Sequence, residues 1–199
     1  MSESVVLEEV RLLEGPNLYF TRPAVKVDLR LPGYLSADTD QVAALAAGLE
    51  LRARVGKPGS VQRQAFLVRL VRHTVRRVAR ASGIARVGVR ARTGATADRV
   101  IVAAVWRSRG RAQVLGDGLA PLLAALLAGA DPRVQVNALA EAIRDAPAGA
   151  PPAVRTPRIP VASVTGTNGK TTTTRLLAHL CMTAGRTTAW SSTDGVVVM

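Results

Sequence analysis

The chain has 199 residues, a length that accommodates one large domain or two small ones. Its hydrophobic content of 48% suffices for a packed core, and its aromatic content of 3% means that Leu, Val and Ala must build most of that core. No apolar run approaches the ~20 residues of a membrane-spanning helix, and acidic residues stand where a signal peptide would be basic. The single cysteine, Cys181, excludes an internal disulfide. We therefore expect a soluble, cytoplasmic protein.

The net charge of +13 comes almost entirely from arginine, because Lys26, Lys57 and Lys170 are the only lysines. The arginines are spread along the chain, which favours an ordinary solvated surface over nucleic-acid binding. A denser group surrounds His73 on a predicted helix. On that helix the alternatives are a solvated face and a face that binds an acidic polymer. The group comprises Arg69, Arg72, Arg76 and Arg77.

Residues 1–145 predict a small α+β domain that opens with two strands. Residues 4–13 are apolar and β-branched, and Gly15-Pro16-Asn17 follows them as a turn signal. Residues 24–31 alternate apolar and polar side chains, as a half-buried strand does, and Pro32-Gly33 ends the alternation.

Helices dominate the remainder of this half. Asp38 or Asp40 would cap a helix over about residues 41–54. A longer helix over residues 61–81 has a single apolar face. This face consists of Leu67, Val71, Val75 and Val78. Further along the chain, the pattern predicts strands at residues 86–91 and 100–106 and helices at residues 118–128 and 136–145.

A linker separates this half from the rest of the chain. Residues 146–158 are rich in Pro, Gly and Ala and have no apolar periodicity, which indicates a semi-extended connection. Residues 159–164 then predict a buried parallel strand, residues 170–184 a helix, and residues 186–191 a second strand. The predicted inward side chains of the helix are Leu176, Leu177, Leu180 and Cys181.

The fold class predicted for residues 159–199 is therefore α/β, the first βαβ unit of a parallel sheet. One βαβ unit cannot bury both faces of its own sheet. We expect the chain to be the amino-terminal part of a longer enzyme.

The segment between this strand and helix has the chemistry of a phosphate-binding loop. Gly166 and Gly169 allow backbone N–H groups to approach phosphates, Lys170 would reach the β- and γ-phosphates, and the Thr171 hydroxyl would hold Mg²⁺. The general pattern G-x-x-x-x-G-K-[ST] requires glycine where Val164 stands, which disfavours the alternative of an ordinary P-loop ATPase or kinase. The candidate nucleotide-binding residues are Thr165, Gly166, Thr167, Asn168, Gly169, Lys170, Thr171 and Thr172.

The run Gly166-Thr-Asn-Gly-Lys-Thr171 resembles the ATP-binding signature of the Mur ligases and folylpolyglutamate synthetases. Residues 172–177 and Ser191-Ser-Thr-Asp-Gly195 are most similar to the ligase module of the cyanophycin synthetases. Residues 11–17 resemble the R-x-L-x-G-P-N opening of the same family, and residues 70–78 resemble, more loosely, a helix of its N-terminal domain. The ATP-grasp domain that the family carries between these two parts has no counterpart in this sequence.

The resemblance implies an ATP-dependent amide-bond ligase that uses ATP and Mg²⁺ and an amino-acid or peptide-like substrate. In this family a carboxylate attacks the γ-phosphorus of ATP, and an amine then displaces phosphate from the acyl phosphate. Lys170 would be the catalytic cation. The family's metal-binding glutamate and histidine would lie beyond residue 199, so we expect this chain to be inactive alone. The alternative is a polyanion-binding or regulatory module with a vestigial nucleotide site.

One further feature carries open alternatives. Thr193 and Asp194 follow a strand at the end where α/β proteins form ligand crevices. They either contact substrate or phosphate, or they form a turn in which Asp194 bonds local backbone and Gly195 adopts a positive φ. Trp106 is expected to pack in the core.

Overall fold

The computed structural model describes residues 4–151, 158–193 and 195–199. It divides into two compact units, Met1–Thr156 and Pro157–Met199, which we call unit 1 and unit 2. Unit 1 is a mixed α+β structure with a four-stranded antiparallel sheet. Unit 2 contains a helix and a two-stranded hairpin.

The sheet of unit 1 has the strand order β1-β2-β4-β3, and every neighbouring pair is antiparallel. Its strands are β1 (Val6–Leu13), β2 (Ala24–Arg30), β3 (Val89–Thr93) and β4 (Arg99–Val105). Val27 of β2 lies opposite Val10 of β1 and Val102 of β4. Val25, Val27 and Leu29 belong to the main core, so the strand alternation expected from the sequence is confirmed.

Five helices accompany this sheet in the described residues of unit 1. They are α1 (Pro32–Ser36), α2 (Thr39–Gly48), α3 (Val61–Ala81), α4 (Arg109–Leu127) and α5 (Pro132–Asp145). The predicted bounds of α3 are confirmed, and its predicted apolar face is fully buried. Tyr34 links α1 to α4, because its buried hydroxyl donates a 2.7 Å hydrogen bond to the carbonyl of Leu123 on α4. Burial raises the pKa of the Tyr34 phenol.

Three helices of unit 1 differ from their predicted bounds. Helix α5 begins at Pro132 rather than near residue 136. Helix α4 begins at Arg109 rather than near residue 118, although it contains three glycines that weaken helix propensity. Tertiary packing outweighs that weakness, because the absent side chain of Gly116 allows close approach to Val10. Helix α2 ends at Gly48 rather than near residue 54, and Glu50 just beyond it has a positive φ of 58°.

A buried arginine holds the chain segment between α2 and α3. The guanidinium of Arg63 donates hydrogen bonds to the carbonyls of Tyr34, Ala37, Val55 and Gly56. Desolvation lowers the pKa of this side chain. The hydrogen bonds to Val55 and Gly56 tie the end of this segment to α3, and residues 51–56 form neither helix nor strand.

Unit 2 consists of α6 (Lys170–Thr183), β5 (Ala189–Ser192) and β6 (Gly195–Val198). The predicted strand at residues 159–164 is not formed, and β5 pairs with β6 in an antiparallel hairpin. A central parallel strand needs hydrogen-bonding neighbours and cover on both faces. Within the described residues of unit 2, no strand pairs with residues 159–164, so the predicted parallel βαβ arrangement is absent there.

The apolar face of α6 is also more exposed than predicted. Leu176 and Leu180 are 57% and 56% exposed, and Cys181 is half-buried. The prediction that these side chains point into a core is wrong for this structure, because the hairpin covers little of the helix. Among the described helices, none combines the length and apolar character that crossing a membrane requires.

Candidate nucleotide-binding loop

The candidate loop turns directly into α6 through a left-handed glycine. Gly169, the residue that precedes α6, has φ 77° and ψ 0°, and Gly166 at the start of the turn has φ 157°. Residues with a Cβ rarely adopt such φ values. The two glycines singled out in the sequence therefore occupy the positions where the backbone requires glycine.

The amino terminus of α6 differs in its capping from the amino termini of the other long helices. Side chains of Asp38, Ser60, Ser108 and Asp131 accept hydrogen bonds from first-turn N–H groups of α2, α3, α4 and α5. Within the described residues, no side chain caps α6. Its first N–H groups thus remain available to an anion, and the helix dipole favours negative charge at this end.

Lys170 folds back over the loop that precedes it. Its ammonium donates hydrogen bonds to the carbonyl of Gly166, at 2.6 Å, and to the carbonyl of Thr167, at 3.1 Å. The side chain is exposed to solvent. The positive charge is thereby held beside the open helix end, where a phosphate oxygen can replace the carbonyls as its partner.

The remaining predicted loop residues are mostly exposed to solvent. Thr165, Thr167, Asn168 and Thr172 are exposed, whereas Thr171 is half-buried. A threonine hydroxyl is an oxygen ligand of the kind that Mg²⁺ accepts alongside phosphates and water. No group of three or more His, Cys, Asp or Glu residues in the described ranges could hold a metal ion by itself.

One of the two predicted substrate-contact residues, Thr193, follows β5 directly. Thr193 is exposed in the turn, and no hydrogen bond within the described residues joins it to the loop of residues 165–172. Asp194 lies outside the described residues. Gly195 has φ 120°, as the turn alternative requires.

The basic group on α3 is only partly free. Arg69, Arg72 and Arg76 are exposed, but Arg77 forms an ion pair with Glu50. His73 is also engaged, because its Nε2 atom lies 2.7 Å from the carbonyl oxygen of Leu49. Binding of an acidic polymer to this face remains a prediction, and fewer side chains are available for it than the sequence indicates.

Comparisons with known proteins find a short but clear similarity. The chain is 58% identical over 41 residues to the cyanophycin synthetase of Synechocystis sp., a stretch that covers 21% of this chain and 5% of that protein. It is 62% identical over 39 residues to the cyanophycin synthetase of Geminocystis herdmanii, covering 20% of this chain and 4% of that protein. The cyanophycin synthetase of Trichormus variabilis matches with 58% identity over 41 residues, 21% of this chain and 5% of that protein.

The similar stretch spans only about 5% of the length of these relatives. No family model matches the chain. The similarity therefore supports a relationship with a ligase family, carried by about a fifth of the chain.

Proposed function

We propose that this chain supplies the ATP-binding loop of an ATP-dependent amide-bond ligase of the Mur ligase type. The observation that carries the proposal is the uncapped amino terminus of α6, entered through left-handed Gly169 and flanked by the ammonium of Lys170. The 41-residue similarity to cyanophycin synthetases supports the ligase class over a kinase or a simple ATPase.

Different groups of the loop would bind different parts of the Mg²⁺-nucleotide. The N–H groups at the start of α6 would bind phosphate oxygens, and Lys170 would exchange its two carbonyl partners for the γ-phosphate. The Thr171 hydroxyl would hold Mg²⁺, which neutralises phosphate charge when bound. In such a ligase the substrate carboxylate attacks the γ-phosphorus, and the loop's task is to position and neutralise the phosphates.

The exposed apolar side chains of unit 2 support a further part of the proposal. Ile159 and Val161 before the loop are 70% and 47% exposed, and Val196 and Val198 on β6 are 75% and 72% exposed. We propose that further polypeptide of the complete enzyme covers them and extends the unit into a parallel sheet. That polypeptide would supply the acid and amine sites, so residues 159–199 would not catalyse ligation alone.

The proposed domain organisation follows from this function. Residues 1–145 would form an N-terminal domain, residues 146–158 a linker, and residues 159–199 the beginning of the ATP-binding domain. Thr193 and Asp194 would lie near the substrate in that complete domain.

The experiment that tests the proposal replaces Lys170 with alanine. We expect Lys170→Ala to weaken Mg²⁺-ATP binding by about ten- to a hundredfold, because one charge-assisted contact with phosphate contributes roughly 1.5–3 kcal/mol. Isothermal titration measures the affinity, and circular dichroism checks that the fold is retained. Lys57→Ala, which removes an exposed lysine of unit 1, is the matched control and should leave the affinity unchanged.

The same titration can contradict the proposal. Unchanged affinity of the Lys170→Ala variant would remove Lys170 from the nucleotide site. In the complete enzyme, ADP release that depends on an added amine would distinguish a ligase from a kinase or an ATPase. Amine-independent ADP release would exclude the ligase assignment.

A further inference from the structure

A concave site lies in unit 1 and is lined by residues of that unit. The cavity has a volume of about 810 Å³ and lies among the turn after β1, the segment between α3 and β3, and the start of α4. That volume falls in the range of about 300–1,000 Å³ that is typical of small-molecule sites. We call it the arginine cavity, because five arginines line it: Arg22, Arg86, Arg90, Arg107 and Arg111.

Within the described residues, the charged side chains of the lining are all basic. No Asp or Glu belongs to its lining within the described residues. Arg90 lies over the ring of Phe20, at 5.1 Å from the ring centroid, and Arg111 donates to the carbonyl of Arg144. In the described part of the chain, neither Arg86 nor Arg107 forms an ion pair or a side-chain hydrogen bond. Such a cluster of like charges is stabilised by an anion.

The inner wall of the cavity is apolar and aromatic. Tyr19 and Trp106 are buried there, together with Ile143 of α5. Trp106 is only 6% exposed, and its indole N–H has no acceptor among the described residues. An unpaired buried donor costs roughly 1–3 kcal/mol, so this N–H also calls for an acceptor. The prediction that Trp106 lies in the core is confirmed, but its polar atom remains unused by the protein.

The Gly15-Pro16-Asn17 turn builds one wall of the cavity. The side-chain Oδ1 atom of Asn17 accepts 3.0 Å hydrogen bonds from the backbone N–H groups of Tyr19 and Phe20. Its Nδ2 atom donates 3.0 Å hydrogen bonds to the carbonyls of Gly15 and Arg22. Four backbone groups between residues 15 and 22 are thus held by one side chain, which preorganises the wall.

We propose that the arginine cavity binds a small organic anion, a carboxylate or phosphate group joined to an apolar body. The anionic group is held by the guanidinium groups of Arg86 and Arg107 at the mouth. The apolar body lies against Tyr19 and Trp106. The lining residues of the site all belong to unit 1.

The test follows the indole N–H resonance of Trp106 by ¹H–¹⁵N NMR in the full chain. The Trp190→Phe variant leaves Trp106 as the only tryptophan, so the signal is assigned without ambiguity. We expect phenylacetate or phenyl phosphate to shift this resonance in a saturable way, and the neutral isostere phenylacetamide to leave it unchanged. A response to one of the two anions alone identifies the anionic group as carboxylate or phosphate.

Matched variants locate the binding. In the Trp190→Phe background, replacing Arg86 and Arg107 together with alanine should weaken anion binding by about tenfold or more. Replacing Arg69 and Arg72, which are exposed on α3 outside the cavity, should not change it. The proposal is overturned if neither anion shifts the resonance, if phenylacetamide shifts it equally, or if both variant pairs lose binding to the same extent. Equal affinity for inorganic phosphate and phenyl phosphate would also overturn it, because the apolar wall would then contribute nothing.

Discussion

At the scale of single residues, one carboxylate beside the sheet of unit 1 should determine part of the acid stability. Asp98 is buried and accepts hydrogen bonds from the Thr96 hydroxyl, at 2.6 Å, and from Arg30 Nε, at 3.0 Å. Burial by itself would raise the pKa of Asp98. The hydrogen bonds from Thr96 and Arg30 outweigh burial, so the pKa lies below its ordinary value.

A lowered pKa in the folded state fixes the sign of the pH dependence. Ionised Asp98 stabilises the fold at pH values above its unfolded pKa of about 3.9, and this contribution is lost as the pH falls through the lower folded pKa. We expect Asp98→Asn to lower the free energy of unfolding at pH 7 by about 1–2 kcal/mol. Below about pH 5, the free energy of unfolding of this variant should also fall less steeply with decreasing pH than that of the parent chain.

Denaturant unfolding at several pH values measures both effects. Asp117→Asn is a suitable control, because Asp117 is exposed on α4 and pairs locally with Gln113. A parallel loss of stability at every pH, with the acid slope unchanged, would contradict the role given to the ionised carboxylate.

The residues of the two candidate sites differ in whether a local sequence pattern predicts them. The loop of residues 165–172 is recognisable because a phosphate site uses consecutive residues, so its pattern is local in the chain. The arginine cavity brings together residues from four separate segments, and no local pattern marks it. Its two visible signals were the Asn17 turn and Trp106. The sequence indicates a turn and a core residue there, but the cavity depends on tertiary packing.

At the scale of elements, amphipathic periodicity succeeded where one face is buried. Helix α3 has an apolar face at helical spacing, and both of its predicted ends are confirmed. Helix α4 was predicted too short because its first half contains Gly110, Gly116 and Gly118. Glycine lowers local helix propensity, whereas its effect on packing depends on neighbours that are distant in the chain.

Gly116 provides a test of that packing argument. A Cβ atom at this position would lie 2.5 Å from Val10 Cγ1 and 3.4 Å from Val25 Cγ2. Alanine would gain about 1 kcal/mol in helix propensity but would force α4 away from β1, so we expect Gly116→Ala to destabilise the chain by about 1–3 kcal/mol. Thermal and denaturant unfolding measure the loss.

A double-mutant cycle with Val10→Ala separates the two contributions. Val10→Ala removes the nearest atoms, so the cost of Gly116→Ala should fall markedly in that background, apart from the cost of the Val10 cavity itself. Strictly additive losses would show that the clash with Val10 is not the cause. A stabilising single substitution would show that propensity outweighs packing at this position.

At the scale of the whole molecule, the two units differ sharply in how they bury apolar surface. Unit 1 has a continuous core that joins its sheet to α3, α4 and α5. In the described part of unit 2, Ala178 is the only buried hydrophobic residue. The parallel arrangement expected from the sequence depends on strands that no residue of the described ranges provides, whereas β5 and β6 can pair locally as a hairpin.

This contrast predicts that unit 1 carries nearly all of the cooperative stability. A polypeptide of residues 1–156 should unfold in one transition with a midpoint within about 2 °C of that of the full chain, because its core lies within those residues. Residues 158–199 should exchange their amide hydrogens much faster than α3 in the full chain, because they bury little apolar surface. Circular dichroism and hydrogen exchange read the two effects separately.

The thermal midpoint measured without unit 2 shows how much this unit contributes to folding. If removal of unit 2 lowers the midpoint by more than about 5 °C, unit 2 contributes more than about 1 kcal/mol to folding, and the assignment of stability to unit 1 is wrong. If the midpoint is unchanged, Mg²⁺-ATP added to the full chain should slow exchange in α6 and leave α3 unaffected, because a ligand stabilises the part of the molecule that binds it. Binding would then be observed as local ordering around the open end of α6.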